Sequence, residues 1–329
     1  MELCIAIVFF VIGIILIIKG GDWFVDSASW IAHAFKIPTF VVGATIVSFA
    51  TTLPELTFSL LASINGKNDL AVGNAIGTII ANTGLVMSVG IIFISIFTPR
   101  KNYWQQCSLL ICSSLVLWIG CIGKTLNLWF SLILLCIFII FIILNLIQGK
   151  KATTEDNLLI ENTNNTSQTK PITINNNPKQ IIVNILFFVL GAVSIILGSH
   201  LLITHGTTIA TQLGIPEHII AITLISIGTS LPELMTTITA VRKKEGSLSI
   251  GNIIGANIIN LTLILPTCSL ITNQSFFIPM QTLIVDFPFC LIISIIAVIP
   301  MLIKQRTYRW QGILMLLSYI AYLIISLLI

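Results

Sequence analysis

The chain has 329 residues, of which 56% are hydrophobic and only 9% are charged, and its formal net charge is +4. Soluble globular domains carry about 25% charged residues, so this chain has too few to cover a surface that faces water. The composition therefore excludes a soluble globular protein and predicts a chain that is embedded in a membrane.

Apolar stretches long enough to cross a bilayer as helices recur along the whole chain, since about 20 residues span its hydrocarbon core. Ten such stretches cover residues 3–32, 38–64, 70–97, 107–123, 126–147, 181–206, 216–241, 248–272, 281–303 and 310–329. The first lacks the basic region that opens a secretory signal, and we expect it to be retained as a helix. The sequence thus predicts an all-α polytopic protein of the cell membrane with ten transmembrane helices.

The segment 148–180 is a long polar gap between these stretches. It is rich in Asn, Thr and Lys and contains Pro171 and Pro178, which is typical of a solvated linker. It divides the chain into a first half, residues 1–147, and a second half, residues 181–329, with five predicted spans each.

Basic residues are distributed very unevenly between the two sides of the predicted membrane. One side has only Lys67 and Lys124. The other side has thirteen: Lys36, Arg100, Lys101, Lys150, Lys151, Lys170, Lys179, Arg242, Lys243, Lys244, Lys304, Arg306 and Arg309. By the positive-inside rule the basic side is cytoplasmic, which places both termini outside and the linker inside. Because each half has five spans, the second half must lie inverted relative to the first.

The two halves also repeat each other in sequence, without a gap, at an offset of 178 residues. Between 37–85 and 215–263 there are 18 identities in 49 positions, and they include Pro, Glu, Gly and Asn, which apolar helices seldom share by chance. The motif segments are 43–82 and 221–260. A duplicated unit of inverted topology is the architecture of many secondary transporters.

Each repeat carries one glutamate, Glu55 or Glu233, near the middle of a predicted span. A charged side chain at that depth costs about 2.5–3.5 kcal/mol on insertion scales. Since no Lys or Arg is predicted at a comparable depth, a bound cation is the simplest compensation for the two carboxylates.

The residues around the glutamates supply hard oxygen donors. Pro54 and Pro232 cannot donate to the carbonyls of Ala50 and Gly228, four residues earlier, and push them aside. Hydroxyls and amides at helical spacing complete the set: Ser48, Thr51, Thr52, Thr78, Asn74 and Asn82 in the first repeat, and Ser226, Thr229, Ser230, Asn252 and Asn260 in the second. Calcium binds about 6–8 oxygens, and no Cys or His accompanies this set to suit a softer metal. Two carboxylates balance one Ca2+ or two Na+, and competition for one shared site is a minimal basis for antiport.

These residues resemble the two alpha-repeats of the sodium/calcium exchanger (calcium/cation antiporter, CaCA) superfamily. Gly228–Glu233 and Gly251–Asn260 resemble its signature motifs closely, while the first copy is looser, with Ala50, Thr52 and Ile79 at motif positions. The chain looks most like the short bacterial, YrbG-like branch. The resemblance implies that Glu55 and Glu233 bind the transported ions, with Ser48, Thr51, Thr52, Thr78, Asn82, Ser226, Thr229, Ser230 and Asn260 completing the sites. Asn82, Asn260 and Ala256 stand where some members have Asp or Ser, so the coupling ion stays open.

The favoured function is exchange of Ca2+ for Na+, with Ca2+/H+ exchange as the alternative in the same fold and a cation channel as a weaker one. An enzyme is disfavoured, because no HExxH, GxGD or GxSxG motif lies at membrane depth. We expect no cofactor, nucleic acid or obligatory protein partner, only the bilayer and the transported ions.

Several residues also have purely structural interpretations. Asn82 and Asn260 could serve only as hydrogen-bonding groups between helices, and Ser48 and Ser226 could bond their own helix backbone. For Asp22, Asp26 and Asp286, which lie toward the ends of predicted spans, an interfacial role is favoured over ion binding. The seven cysteines lie in or beside apolar stretches without CxxC spacing, which indicates packing residues.

Overall fold

The computed structural model describes residues 2–98, 100–163, 178–213, 230–272 and 276–328. The first half contains α1 (Glu2–Ala34), α2 (Thr39–Val42), π1 (Gly43–Val47), α3 (Ser48–Thr51), α4 (Leu53–Ile64), α5 (Asn68–Ala81), π2 (Asn82–Met87), α6 (Ser88–Phe93), α7 (Arg100–Gly120), β1 (Thr125–Leu126) and α8 (Leu128–Thr163). The remainder contains α9 (Pro178–Gln212), α10 (Leu231–Arg242), α11 (Gly246–Ile259), π3 (Asn260–Ile264), α12 (Leu265–Ile271), β2 (Phe276–Phe277), π4 (Thr282–Asp286), α13 (Phe287–Lys304) and α14 (Arg309–Leu328). The π segments are wide helical turns that continue the α-helices beside them.

Seven helices in the described residues are long and apolar enough to cross a membrane. An eighth is added if the pair Thr39–Thr51 and Leu53–Ile64, bent by 45°, counts as one span. Of the other two predicted spans, 107–123 corresponds to most of α7, and the greater part of 216–241 lies outside the described residues. The chain is therefore an all-helical polytopic membrane protein.

Polarity in this fold is distributed as a membrane protein requires. Helices α1, α8 and α9 expose many large apolar side chains, whereas every residue of α11 except Ser247 is buried. Buried polar side chains are concentrated in the broken helix 39–64 and in π2, α10 and α11. Because lipid solvates apolar side chains and water does not reach the bilayer core, the polar groups face one another inside the protein.

The long helices α1 and α9 pack against each other through glycines. A Cβ atom placed on Gly13 would lie 2.9 Å from the carbonyl oxygen of Gly198, and one on Gly20 would lie 2.9 Å from that of Gly191. Small residues at such positions let two helix backbones approach closely. Since the lower-numbered glycine of one helix meets the higher-numbered glycine of the other, the two helices run antiparallel.

A second close contact joins α11 to the first stretch of the broken helix. A Cβ on Gly255 would lie 2.5 Å from the carbonyl oxygen of Ala44, and one on Gly251 would collide with the carbonyl oxygen of Phe40. Glycine at both positions is what allows the two backbones to approach this closely. By the offset of 178, Gly73 and Gly77 would meet residues 218–226, which lie outside the described residues.

Short strand contacts join segments from the two halves at two places. Strands β1 and β2 pair antiparallel, with Thr125 opposite Phe277. Elsewhere the Thr98 amide donates to the Gln305 carbonyl at 2.8 Å, and the Thr307 amide donates to the Ile96 carbonyl at 2.9 Å. These bonds satisfy backbone groups between helices and tie the first half to the second.

Candidate cation-binding site

Corresponding helices of the two repeats break and restart at equivalent residues. Helix α4 begins after Thr52 (φ −88°, ψ −2°), and α10 begins after Ser230 (φ −90°, ψ 7°). In both cases proline occupies the second helical position, in the first turn, where its missing N–H costs the new helix no hydrogen bond of its own. The glutamate follows one residue later, so Glu55 and Glu233 both lie in the first turn of a helix, where the helix dipole favours a negative charge.

The two carboxylates are fully enclosed by the protein. The exposed fraction is 1% for Glu55 and 0% for Glu233. All four carboxylate oxygens lack a hydrogen-bond donor among the described residues. The two groups lie close enough to interact electrostatically. Two negative charges so placed repel each other and require a positive charge between or beside them.

Two amide oxygens accompany the carboxylates. Asn82 opens π2 and Asn260 opens π3, and the Oδ1 atom of each is buried without a hydrogen-bond partner in the described part of the chain. Helix α4 packs against π3, and helix α10 packs against π2, so each glutamate helix meets the asparagine segment of the other repeat. Together with the carboxylates, these amides give six buried oxygen acceptors that receive no donor from the described residues.

The nitrogen atoms of these amides donate hydrogen bonds within and between the helices. Asn82 Nδ2 donates to Asn257 Oδ1 at 3.4 Å, and Asn257 Nδ2 donates to Thr83 Oγ1 at 2.7 Å. Asn260 Nδ2 donates to the Ala256 carbonyl at 3.0 Å. Because each nitrogen is occupied, the oxygen of the same amide is the group left to face a cation.

The hydroxyl side chains divide into two kinds. Thr51 donates across the repeats to Asn252 Oδ1 at 3.1 Å, and the buried Ser230 hydroxyl has no partner among the described residues. Ser48 instead donates to the Thr45 carbonyl at 3.1 Å and Thr52 to the Ser48 carbonyl at 2.6 Å. Ser48 thus bonds to the backbone of its own helix, which is one of the two roles predicted for it, and Thr52 does the same.

The remaining predicted site residues are placed as follows. Thr78 is buried on α5, and Ala50 is half-buried beside the break, where Pro54 cannot donate to its carbonyl. Ser226, Gly228 and Thr229 lie outside the described residues.

Sequence reasoning missed two residues of this cluster, Asn257 and Thr83. Asn257 aligns with Ile79 of the first repeat, so it is not among the polar residues that the two repeats share. The signal that could have found it is a third asparagine in the stretch from Asn252 to Asn260. An amide placed among apolar residues of a buried helix must find hydrogen-bond partners, and Asn257 finds them on π2.

The oxygens of this cluster fit a hard cation. Six buried carboxylate and amide oxygens have no hydrogen-bond donor among the described residues, and Ca2+ takes about 6–8 oxygen ligands. Within the described residues no group of three or more His, Cys, Asp or Glu side chains could hold a metal, so the donor set consists of two carboxylates with amides and hydroxyls. Such a set suits Ca2+ or Na+ rather than a thiophilic metal.

Comparisons with known proteins point to one family. The family model described as "Sodium/calcium exchanger protein" matches residues 5–147 and 183–328. An uncharacterized membrane protein of Methanocaldococcus jannaschii is 31% identical over 95% of both chains. The sodium/calcium exchanger MaX1 of Methanosarcina acetivorans is 28% identical over 95% of this chain and 96% of its own. The inner membrane protein YrbG of Escherichia coli is 32% identical over 80% of this chain and 78% of its own.

A solved structure supports the same assignment. The sodium-calcium exchanger NCX_Mj, soaked with Na+ and Sr2+, superposes with a TM-score of 0.81 at 28% identity, and the match covers 97% of both chains. The match to the family model covers most of the present chain, in both halves and on both sides of the polar linker. The chain therefore belongs to the sodium/calcium exchanger family of membrane cation transporters.

Proposed function

We propose that this protein exchanges Ca2+ for Na+ across the cell membrane, and that both ions use one site between Glu55 and Glu233. The observation that carries this proposal is the pair of enclosed carboxylates, in equivalent helix breaks of the two repeats, with amide oxygens beside them and no donor among the described residues. Their combined charge of −2 matches one Ca2+ or two Na+. Names printed for relatives, such as sodium/calcium exchanger, support the same pair of ions.

In this proposal the central ligands are the carboxylates of Glu55 and Glu233 with the oxygens of Asn82 and Asn260. The Ser230 and Thr51 hydroxyls and the Ala50 carbonyl are the nearest additional donors in the described residues. Thr229 and Gly228 complete the set by equivalence with Thr51 and Ala50. Ser48, Ser226, Thr52 and Thr78 would then act mainly by shaping the helices around the ions.

Transport requires the site to open alternately to the two sides of the membrane. We propose ten spans arranged as two inverted repeats, residues 1–147 and 181–329, with the linker 148–180 cytoplasmic and both termini outside. The antiparallel packing of α1 against α9, which are equivalent helices, supports the inversion. The enclosure of both carboxylates supports a cycle that includes an occluded intermediate.

The decisive experiment is Ca2+ uptake into proteoliposomes with the Na+ and H+ gradients imposed separately. Sodium-coupled exchange predicts uptake only when Na+ flows outward, and no uptake when a pH gradient is imposed alone. Uptake driven by the pH gradient alone would assign the protein to Ca2+/H+ exchange instead. Conductance that follows Ca2+ without any counter-gradient would indicate a channel.

The topology has an independent test. A fusion of alkaline phosphatase to the C-terminus should be active, because that enzyme matures only outside the cytoplasm, and a fusion of green fluorescent protein there should be dark. An active phosphatase inserted into 148–180 would contradict the proposed orientation.

A further inference from the structure

A third buried carboxylate, Asp286, lies apart from the pair Glu55 and Glu233. It is the last residue of π4, with an exposed fraction of 8%, and its Oδ1 atom lacks a hydrogen-bond partner in the described part of the chain. The sequence favoured an interfacial role for this residue because it lies toward the start of the predicted span 281–303. The structure differs, since neighbouring helices cover the side chain.

Polar groups beside Asp286 form a path toward the end of the span. The side chains of Thr282 and Tyr322 interact with the carboxylate, and Tyr322 also interacts with Ser326. Gln281 Nε2 donates to Ser326 Oγ at 3.0 Å, and both of these residues are half-buried. A carboxylate in the interior is thus connected through a tyrosine and a serine to a glutamine at the helix end.

No lysine or arginine interacts with this carboxylate in the described residues. From α14 it faces Tyr322, with Tyr319 behind it, and from α13 it faces Cys290, which in turn interacts with Ser114 of α7. Helix α5, which also packs against π4, has Asp69 as its one titratable residue, exposed in its first turn. An isolated carboxylate in such surroundings costs several kcal/mol if it stays charged and unpaired, and a single positive charge would remove that cost.

The first repeat has no carboxylate at the equivalent position. Thr98 and Ile278 make equivalent backbone hydrogen bonds between the two halves, so the offset between the repeats is 180 at this point of the chain. Asp286 therefore corresponds to Gln106, a neutral amide that is buried and donates to Asn145 Oδ1 at 3.0 Å. Only the second repeat carries a carboxylate here, so this group is separate from the duplicated glutamate pair.

The wide turn at Asp286 is a further similarity to the central site. Asn82, Asn260 and Asp286 each lie at an end of a π segment, and each has a buried oxygen without a donor in the described residues. Wide turns of this kind occur frequently at functional sites, because they displace the regular backbone hydrogen bonds. The backbone of π4 is anchored from α7, where Trp118 Nε1 donates to the Leu283 carbonyl at 3.2 Å.

We propose that Asp286 is a proton-binding site, distinct from the Glu55/Glu233 site, which exchanges its proton with the aqueous phase through Tyr322, Ser326 and Gln281. A proton needs one oxygen atom and one charge, and both are present. A divalent metal would need more oxygens and a second charge, which this cluster of one carboxylate and hydroxyls does not supply. Proton binding here stands without transport, but its effect on the pH dependence of transport rests on the proposed exchange.

The binding step can be tested with the central carboxylates removed. We would record pH-induced infrared difference spectra of the full chain in detergent, as the double variant E55Q/E233Q and as the triple variant that also carries D286N. The double variant should show a protonated carboxyl band that appears on acidification and disappears as the pH is raised, and D286N should abolish it. Identical spectra for the two proteins would overturn the proposal, as would a band that Na+ removes at constant pH.

Further variants guard against misfolding and non-specific effects. Asp286→Glu keeps a carboxyl group and should keep the band at a shifted pH, whereas the matched control Asp69→Asn removes an exposed carboxyl and should leave the band unchanged. Loss of the band in the Asp69→Asn variant would contradict the assignment to Asp286. In proteoliposomes, D286N alone should flatten the pH profile of Ca2+ uptake. A protein without Na+-coupled uptake would refute the proposed exchange while leaving the infrared result as the test of this site.

Discussion

The turn after α4 and the turn after α10 occupy equivalent positions in the two repeats, but they make different contacts. After α10, Lys243 Nζ lies 2.7 Å from Asp26 Oδ1 and 3.5 Å from Asp22 Oδ1 on α1, and the Ser29 hydroxyl donates to Glu245. After α4, Asn65 donates back to the Leu61 carbonyl of its own helix at 2.7 Å. We call the first set the α1 latch; it comprises Asp22, Asp26, Ser29, Lys243 and Glu245.

The repeats are therefore alike at the proposed ion site and differ in the turns that follow the glutamate helices. At the offset of 178, Asp22 and Asp26 correspond to His200 and Thr204, so α9 cannot form an equivalent ionic contact with the turn after α4. Under the proposed inverted topology, the two turns face opposite sides of the membrane. A contact at one turn only then favours closure on one side, which gives two nearly equivalent halves unequal open states.

The largest effects should come from the features that the repeats share. Glu55→Gln and Glu233→Gln each remove half of the central charge, and we expect either change to reduce Ca2+ exchange to the background of empty liposomes. Uptake of radioactive Ca2+ under an outward Na+ gradient measures this. Asp69→Asn, which neutralises an exposed carboxylate, should retain full uptake. Retained exchange in both glutamine variants would remove the basis for a shared site.

Close glycine contacts between the halves should be visible in stability. Gly251→Ala places a Cβ against the Phe40 carbonyl, and we expect a loss of about 1–3 kcal/mol from overpacking. For the control Gly149→Ala in α8 we expect a gain of about 0.5–1 kcal/mol, because the new Cβ would lie 3.7 Å from Ile37, an ordinary van der Waals contact, and alanine favours a helix. Thermal unfolding of the two variants in detergent measures both effects. Equal destabilisation would show that the contact with Phe40 is not what requires glycine at position 251.

The α1 latch should have a smaller effect, on the balance between open states. Exposed ion pairs contribute about 0.2–1 kcal/mol, and Asp26 is largely exposed, so Lys243→Gln should change the ratio of the two states by up to about fivefold. The readout is the apparent Ca2+ affinity measured from each side of oriented vesicles. Lys67→Gln, in the opposite turn, is the matched control and should change neither affinity. An unchanged ratio in K243Q would mean that the latch does not bias the cycle.

The smallest effect should come from the hydrogen bond between Ser29 and Glu245 in the α1 latch. Ser29→Ala removes one hydrogen bond to Glu245. Water can replace this bond at a part-buried position, so we expect a contribution at the lower end of the usual range, about 0.5 kcal/mol, which is roughly a twofold change. A double-mutant cycle with Lys243→Gln, measured by the same side-specific affinities, tests whether the two contacts act together. Strict additivity would separate the Ser29 contact from the ion pairs.

Much of this architecture could be predicted because the repeated segment contains residues, proline above all, that strongly affect local helix structure. The offset of 178 recurs in the structure: α4 and α10 are Leu53–Ile64 and Leu231–Arg242, and α5 and α11 are Asn68–Ala81 and Gly246–Ile259. Proline fixes where each helix restarts, so the depth of Glu55 and Glu233 follows from the chain itself. The sodium/calcium exchanger family was likewise predicted correctly from the two motifs.

Other features depend on contacts between distant residues, which periodicity does not show. Nothing local distinguishes the π turns at Asn82 and Asn260 from ordinary helix. The burial of Asp286 depends on α14 and α5 packing over π4, and the role of Asn257 depends on Thr83 across the repeats. Thr52 also matched the motif, yet its hydroxyl is used by the Ser48 carbonyl. The sequence identified candidate donors, and tertiary packing decided which of them were left without partners.

The wide turns also bear on the history of the gene. A π turn contains an extra residue relative to an α-helix, and the loss of one residue would convert it back to regular helix. The segments that begin at Asn82 and Asn260 lie at the same offset, in an alignment of the repeats without a gap. The extra residue was therefore in the ancestral half before duplication. The turn at Thr282–Asp286, which α7 lacks, adds a residue to one copy alone: the offset between the repeats is 180 before it, at Thr98 and Ile278, and 181 after it, at Lys124 and Gln305.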